Sequence, residues 1–521
     1  MRFRKTYIIV AVTLVVAFLL IRRSTKAPQQ NSVGKSTDHS KQQKLFTKHC
    51  GSCHMLPHPQ DITKDLWRSN VLPLMAIRMG IKDDTYERRL SEEEKEVEQN
   101  AGLIPEQPLI STEDFESIAA YIISLAPDTI PHDLQRLSRT KPLQQFLRQD
   151  VAIEGSKPSL ITALKCDTTS GSLWIANFYN QVINWKWKDG ILSGLEVSSP
   201  VVHFSFYKGN IFFTAIGDLL PSELSRGTLG YLNRGRALPV LSSLHRPVFA
   251  QIEDLNDDST PEIIVSNFGK NLGGLSLFKG GNNSQPLTEQ VLMSLPGATK
   301  TYIADMNADG RKDIVALLAQ GDESIYIFYN QGDLKFVPKR ILRYPPHYGT
   351  SDFLLLDYNK DGRLDIVTAH GDNADYSIML KPYHGIRISI NEGNDVYQEE
   401  FFFPIYGVTR VLAEYFDQDG DVDFAANSFY PDYGQLVHES FVYLENNGTS
   451  NYNFQAYAHH ASVPVKSLTM EKTDIDGDGD VDIILGNFAF SPVAAPAELE
   501  RKWKSADYDL IVFLNSHYTR K

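Results

Sequence analysis

The chain has 521 residues, 42% hydrophobic and 22% charged, with a net charge of −13 at pH 7. That length predicts more than one folded core, and those fractions exclude a disordered polymer. The acidic balance, without a recurring Lys/Arg-rich patch, excludes nucleic acid as a partner. Three cysteines exclude a disulfide framework.

The first segment, residues 1–26, is basic, then apolar, then basic. Arg2, Arg4 and Lys5 precede the run Tyr7 to Ile21, and Arg22 and Arg23 follow directly. No small-x-small cleavage site and no lipobox cysteine follow the run. An uncleaved signal anchor is therefore expected over a cleaved signal peptide. Basic residues on both flanks leave its orientation open. Residues 27–41 are polar and read as a flexible tether.

Residues 42–130 show helical patterning. Gln43 to His49 leads helically into Cys50. Ser111 and Thr112 are cap candidates, with Glu113 and Asp114 in the first turn of a second helix. Phe115, Ile118, Ala119, Ile122 and Ile123 then recur at helical spacing, and Pro127 and Pro131 close the segment. The charge run Glu92 to Glu98 is expected to be a solvated helix face or loop.

Cys50-Gly51-Ser52-Cys53-His54 carries the chemistry of this region. Two thiols one helical turn apart, followed by His, match the attachment signature of c-type haem. A redox dithiol would call for a βαβ pattern, and a zinc site for a second ligand pair at short range. The sequence offers neither. Cys166, the third cysteine, is expected to be a small buried apolar residue.

LFTKHCGSCH, the later helix EDFESIAAYIISL and a methionine between them resemble the class I cytochrome c domain. The resemblance implies a small all-α fold and attachment of haem c outside the cytoplasm. It places thioether bonds on Cys50 and Cys53 and makes His54 the proximal iron ligand. It also implies a methionine sixth ligand after a proline-bearing turn. VLPLMAIRMG offers Met75 and Met79, and Met75, two residues after Pro73, is the expected ligand. Met55, adjacent to His54, cannot reach the opposite haem face.

The remainder, residues 146–521, repeats itself about every 50 to 60 residues. The copies begin at Asp254, Asp305, Asp357, Tyr415 and Asp474, with two weaker ones at Asp167 and Phe206. Each unit reads as four strands. In the unit at Asp305 they are Lys300–Ala304, Asp313–Leu317, Ser324–Tyr329 and Lys335–Ile341. Seven such units predict an all-β seven-bladed propeller. The last unit stops after its third strand, Leu510–Asn515. The segment Phe146–Ile153 is expected to supply the fourth and close the ring.

Within the repeats, oxygen-bearing residues alternate in tight loops that suit a hard cation such as Ca²⁺. The complete sets are Asp305, Asn307, Asp309, Asp313; Asp357, Asn359, Asp361, Asp365; and Asp474, Asp476, Asp478, Asp482. Asp254, Asn256, Asp258 and Glu262 form a weaker set, with Ser259 where glycine is expected. Asp417, Asp419 and Asp423 have Tyr415 in place of the first ligand. These are not EF-hands, because the closing glutamate and flanking helices are missing. Asx-turns that need no metal are the competing reading. The pattern resembles the FG-GAP/VCBS repeats of integrin-like propellers.

In such a ring the clip loops between first and second strands share one face. The opposite face gathers long loops rich in Asn, His, Tyr and Phe. The richest is His370–His384, with Asp372, Asn373, Asp375, Lys381, Tyr383 and His384. Such a rim is where a small-molecule or glycan ligand would bind, and a solvated insertion is the competing reading of His370–His384.

The expected protein is thus multidomain: N-terminal membrane anchor, small all-α cytochrome c domain, then the propeller. Its expected place is the periplasmic side of the cell inner membrane, or the periplasm if the N-terminal segment is cleaved. Its expected role is electron transfer with a periplasmic redox partner protein, with the propeller as docking or ligand-binding domain. One alternative makes the propeller a dehydrogenase for a sugar or alcohol with the haem as built-in acceptor. Another makes it a surface adhesion or sensing module. No Ser-His-Asp order or nucleotide loop is recognisable.

Overall fold

The computed structural model describes residues 39–81, 86, 88–131, 139–153, 157–281, 286–373, 379–448 and 452–516. The signal anchor and most of the tether lie outside the described residues. Among the described residues no helix is long and apolar enough to cross a membrane. The described residues from Gln43 onward belong to one compact unit.

Helix α1, His39–Cys50, begins inside the segment read as tether and ends on the first cysteine. Its lysines and glutamines are good helix formers, so polar composition alone did not mark a coil there. The stretch Lys64–Val71 runs without a break into α2, Leu72–Arg78, with Pro73 in its first turn. The proline-bearing turn expected before Met75 is therefore part of a continuous helical run, with Pro73 just after the wider π-helical turn Trp67–Val71. Helix α3, Glu92–Asn100, opens with a capping box between Ser91 and Glu94. Helix α4, Thr112–Leu125, is capped by the Ser111 side chain, which accepts from Asp114 N at 3.1 Å. Phe46, Trp67, Leu72, Ile118 and Ile122 share one apolar core, with Cys50, Phe115, Ala119, Ile123 and Met79 packed against it.

Residues 146–515 form seven sheets in a ring, a seven-bladed β-propeller. Blade 4 has strands Ala298–Ala304, Asp313–Leu318, Ser324–Asn330 and Phe336–Arg343, within two residues of the boundaries read from the sequence. In the first and third to seventh blades the second strand is buried along its whole length. Neighbouring blades cover both of its faces, which explains its continuous apolar runs.

Blade 7 takes three strands from the end of the chain: Ser467–Thr473, Asp482–Asn487 and Leu510–Asn515. Its fourth is Phe146–Val151, antiparallel to the last, with Phe146 opposite Asn515 and Val151 opposite Leu510. Blade 6 gains a fifth strand that the sequence did not reveal: Thr140–Pro142 lies parallel to Phe454–Ala458. Three residues, Thr-Lys-Pro, are too short to carry an alternation signal.

Candidate functional sites

Three places hold the residues singled out by sequence: the end of α1, the clip loops, and the long-loop face.

At the end of α1, Cys50 is half-buried, and Cys53 is exposed. Burial, with the Cys53 charge in support, pushes the Cys50 thiol up to about 11. A Cβ at Gly51 would lie 2.9 Å from Thr47 O, so the residue between the helix end and the second cysteine has to be small. His54 Nδ1 lies 2.8 Å from Met55 O. A carbonyl only accepts, so that geometry places the proton on Nδ1 and leaves the Nε2 lone pair for a metal. An open cleft of about 680 Å³ lies between α2 (Leu72, Pro73, Ala76) and α4 (Phe115, Ala119, Ile123). Phe115, Ala119 and Ile123 pack against the same core as Cys50. Cys50, Cys53, His54 and Met75 do not line that cleft; the two thiols and the imidazole with a free lone pair are the donor types that haem c attachment uses. Met75 and Met79 are both half-buried, Met75 on α2 and Met79 packed against the helical core.

The clip loops repeat one geometry. Asp305 accepts from Asp309 N at 3.1 Å and from Gly310 N at 2.8 Å. Asp357 does the same with Asp361 N and Gly362 N, at 3.0 and 2.9 Å. Asp474 does so with Asp478 N and Gly479 N, both at 3.1 Å. In the weaker copy Asp254 accepts from Asp258 N and Ser259 N, and Ser259 holds φ +72° without being glycine. That conformation is strained for an L side chain, which explains glycine at this place in the other loops. In the Tyr415 copy, Asp417 accepts from Asp419 N at 3.1 Å, and Tyr415 is exposed.

The closing carboxylate has a second task that the sequence did not disclose. Asp313 is buried and takes Met306 N at 2.9 Å and Asn330 N at 2.8 Å, tying the loop to the third strand. Asp365, Asp423 and Asp482 take the same strand contact from Asn391, Asn446 and Asn515. Glu262 in the weaker copy accepts from Leu255 N at 2.9 Å.

The copies also differ in charge. A guanidinium lies against the third ligand candidate in two of them, Arg311 on Asp309 and Arg363 on Asp361. The last copy has Asp480 at the corresponding position. Among the described residues, only Asp474, Asp476 and Asp482 bring three His, Cys, Asp or Glu ligand atoms within 4.8 Å of one another. Burial pushes Asp482 up to about 7, and the neighbouring Asp476 and Asp480 charges add to it. A cation would relieve that repulsion.

The long-loop face is not bare. Strand parity puts the loops between second and third strands, and the connections between blades, on this side. Glu93 of α3 lies 2.8 Å from Arg226, in the second blade's loop. Glu98 lies 3.7 Å from Lys270 in the third blade's loop, and it is buried. The run Glu92 to Glu98, expected to be solvated, is thus partly an interface, because its charges find cations on the propeller. Asp61 Oδ2 lies 3.0 Å from His347 Nε2, and Tyr383 OH donates to Asp61 O at 3.2 Å. Met379, from the His370–His384 loop, packs against the helical core. Cys166 is buried in the first blade, where its thiol donates to Thr473 Oγ1 at 3.2 Å.

Comparison with known proteins adds one family and one fold likeness. Residues 305–368 match the FG-GAP-like repeat, across the loops and strands that begin at Asp305 and Asp357. No curated protein matches. The structure of the Neurospora crassa Pan2 WD40 domain is similar over 71% of this chain and 97% of that one, at 12% identity and a TM-score of 0.43. The chain is a seven-bladed β-propeller by its sheets, with an FG-GAP-like repeat matched over residues 305–368.

Proposed function

We propose that the chain is a mono-haem c-type cytochrome for electron transfer at the periplasmic side of the inner membrane, with the propeller as its docking and ligand-binding domain. The observation that carries this reading is the end of α1. Cys50 and Cys53 flank a turn that accepts only a small residue at Gly51, and His54 has its Nδ1 proton directed to Met55 O. Haem c held there would supply one-electron chemistry. Cys50 and Cys53 would hold it covalently, with His54 as proximal ligand and Met75 as the expected distal one. The partner would be a periplasmic redox protein, and the membrane link would be the N-terminal segment. Ca²⁺ would occupy the clip loops as a structural ion.

The test is haem attachment in cells competent for cytochrome c maturation. The purified chain should keep its haem through acid-acetone extraction, and Cys53→Ala should leave at most one thioether. A wild-type preparation that gives up its haem to acid-acetone would exclude the cytochrome reading.

A further inference from the structure

Helix α4 is apolar round most of its circumference. From Ile118 to Ile123 it reads Ile-Ala-Ala-Tyr-Ile-Ile, yet only Ile118, Tyr121 and Ile122 are buried. A helix that is apolar all round is normally covered all round. The second face of α4, with Phe115, Ala119, Ala120 and Ile123, instead lines the open cleft of about 680 Å³ against Leu72, Pro73 and Ala76. Leu74 and Leu125, sequence neighbours of the lining residues Pro73 and Ser124, are themselves 41% and 37% exposed. No propeller residue lines the cleft.

The cleft has a charged end and an apolar end. Lys64 N donates to Pro127 O at 2.9 Å, so the helical run that starts at Lys64 begins beside the end of α4. The two segments therefore run in opposite directions, with Arg68 toward Ser124 and Ala76 toward Phe115. From Arg68 to Ala76 the run rises about 12 Å. Arg68 is exposed, and among the described residues it has no ion pair or hydrogen bond, not even with Asp65 one turn before it. Ala76, Ala119 and Ala120 keep the walls low, which leaves width for a single chain. A protein partner would need a broad contact of about 800 Å² on this side. The cleft instead has the volume of a small-molecule site, about 300–1,000 Å³.

We propose that this cleft binds a free medium-chain fatty acid. Its carboxylate pairs with the Arg68 guanidinium, whose parallel N–H donors match a carboxylate. Its acyl chain lies along Leu72, Ala76, Phe115, Ala119 and Ile123, and so covers the second apolar face of α4. The inference goes beyond the cytochrome reading and does not depend on it, because the cleft lies apart from the end of α1.

Calorimetric titration of the full chain with octanoate, below its micelle-forming concentration, tests it. Butyrate, with a shorter chain, and 1-octanol, without the charge, are the controls. Octanoate should bind at least about tenfold more tightly than butyrate. Arg68→Gln, a change at an exposed position, should weaken octanoate about tenfold, or about 1.4 kcal/mol, and leave 1-octanol unchanged. Ala120→Trp, which fills the cleft from its exposed rim, should abolish binding of both at the melting temperature of the parent. No heat with octanoate, equal affinity for octanoate and butyrate, or octanoate affinity unchanged in either variant would each overturn the proposal. Binding to phosphatidylglycerol vesicles without binding of octanoate would overturn it too, in favour of a lipid surface. Heat is read without the haem band, so failure here leaves the cytochrome reading intact, and loss of haem leaves this test readable.

Discussion

Phe146 stands opposite Asn515 in the antiparallel ladder that fastens the start of the propeller to its end. Phe146 packs into one core with Phe416, Phe441, Ile483, Ile511 and Phe513, and its ring meets Tyr443 edge-on at 5.2 Å. Asn515 takes part in the same closure: its backbone N donates to Asp482 at 2.7 Å, and its side chain donates to Phe416 O at 2.7 Å. The closing strand thus joins blades 6 and 7 as well as sealing the ring.

Removing that strand should open the ring. A chain lacking residues 1–140 keeps Phe146–Val151 and should give a soluble propeller. A chain lacking residues 1–156 exposes the backbone edge of Leu510–Asn515 and should be unstable or aggregate. Thermal unfolding and light scattering compare the two. Equal melting temperatures would show that closure contributes nothing to stability.

Met75→Ala should abolish the weak near-infrared band of methionine-ligated ferric haem. Met79→Ala should keep that band and instead lose about 2 kcal/mol of stability or less, because the half-buried Met79 packs against the helical core. The pair separates ligation from packing in one spectrum and one melt. Loss of the band in Met79→Ala alone would move the ligand to Met79.

Calcium removal should lower the melting temperature of the propeller and leave the haem spectrum nearly unchanged, since the clips lie in blades 3 to 7. Ion at about 100 times its Kd would add about 2.7 kcal/mol. Asp474→Ala should remove most of the calcium-dependent rise. Asp305→Ala should remove less, because Arg311 already places a cation against Asp309. An unchanged melting temperature after verified chelation would leave the loops as Asx-turns that hold without metal.

The propeller was legible because its signals are periodic. Each second strand lies between neighbouring blades and must be apolar throughout, and each clip loop needs its acids at fixed spacing. Ring closure was legible by counting strands. Contacts between distant segments were not. Nothing in the sequence near Asp61 points to His347, and nothing in the run Glu92 to Glu98 points to Lys270. Lys466 is a further case. Nothing in the sequence singles it out, yet it is fully buried, 3.5 Å from the Phe429 ring centroid, and donates to Phe429 O at 2.7 Å and Tyr433 OH at 2.9 Å. Its partners lie in the sixth blade's long loop, and only folding brings them near.

Glu323 gives the last prediction, a pH dependence. Its buried carboxyl accepts from Gly349 N at 3.0 Å, Thr350 N at 2.9 Å and Thr350 Oγ1 at 2.6 Å, and so holds the connection that carries His347 and Tyr348. Burial raises it from an ordinary 4.5 to about 7, against the three hydrogen bonds, which lower it. A carboxyl raised on folding binds its proton more tightly in the native state. Its contribution is fully present below the unfolded value, near 4.5, and is lost as pH rises through about 7. Glu323→Gln cannot ionise and carries no such dependence, although it loses an acceptor at every pH. Urea unfolding of both proteins at pH 5, 6, 7 and 8 should therefore show the stability of the parent, relative to Glu323→Gln, falling from pH 5 to pH 7 and levelling off towards pH 8. A difference that stays flat or grows with pH would mean that the Gly349 and Thr350 donors hold the carboxylate more strongly than burial opposes it.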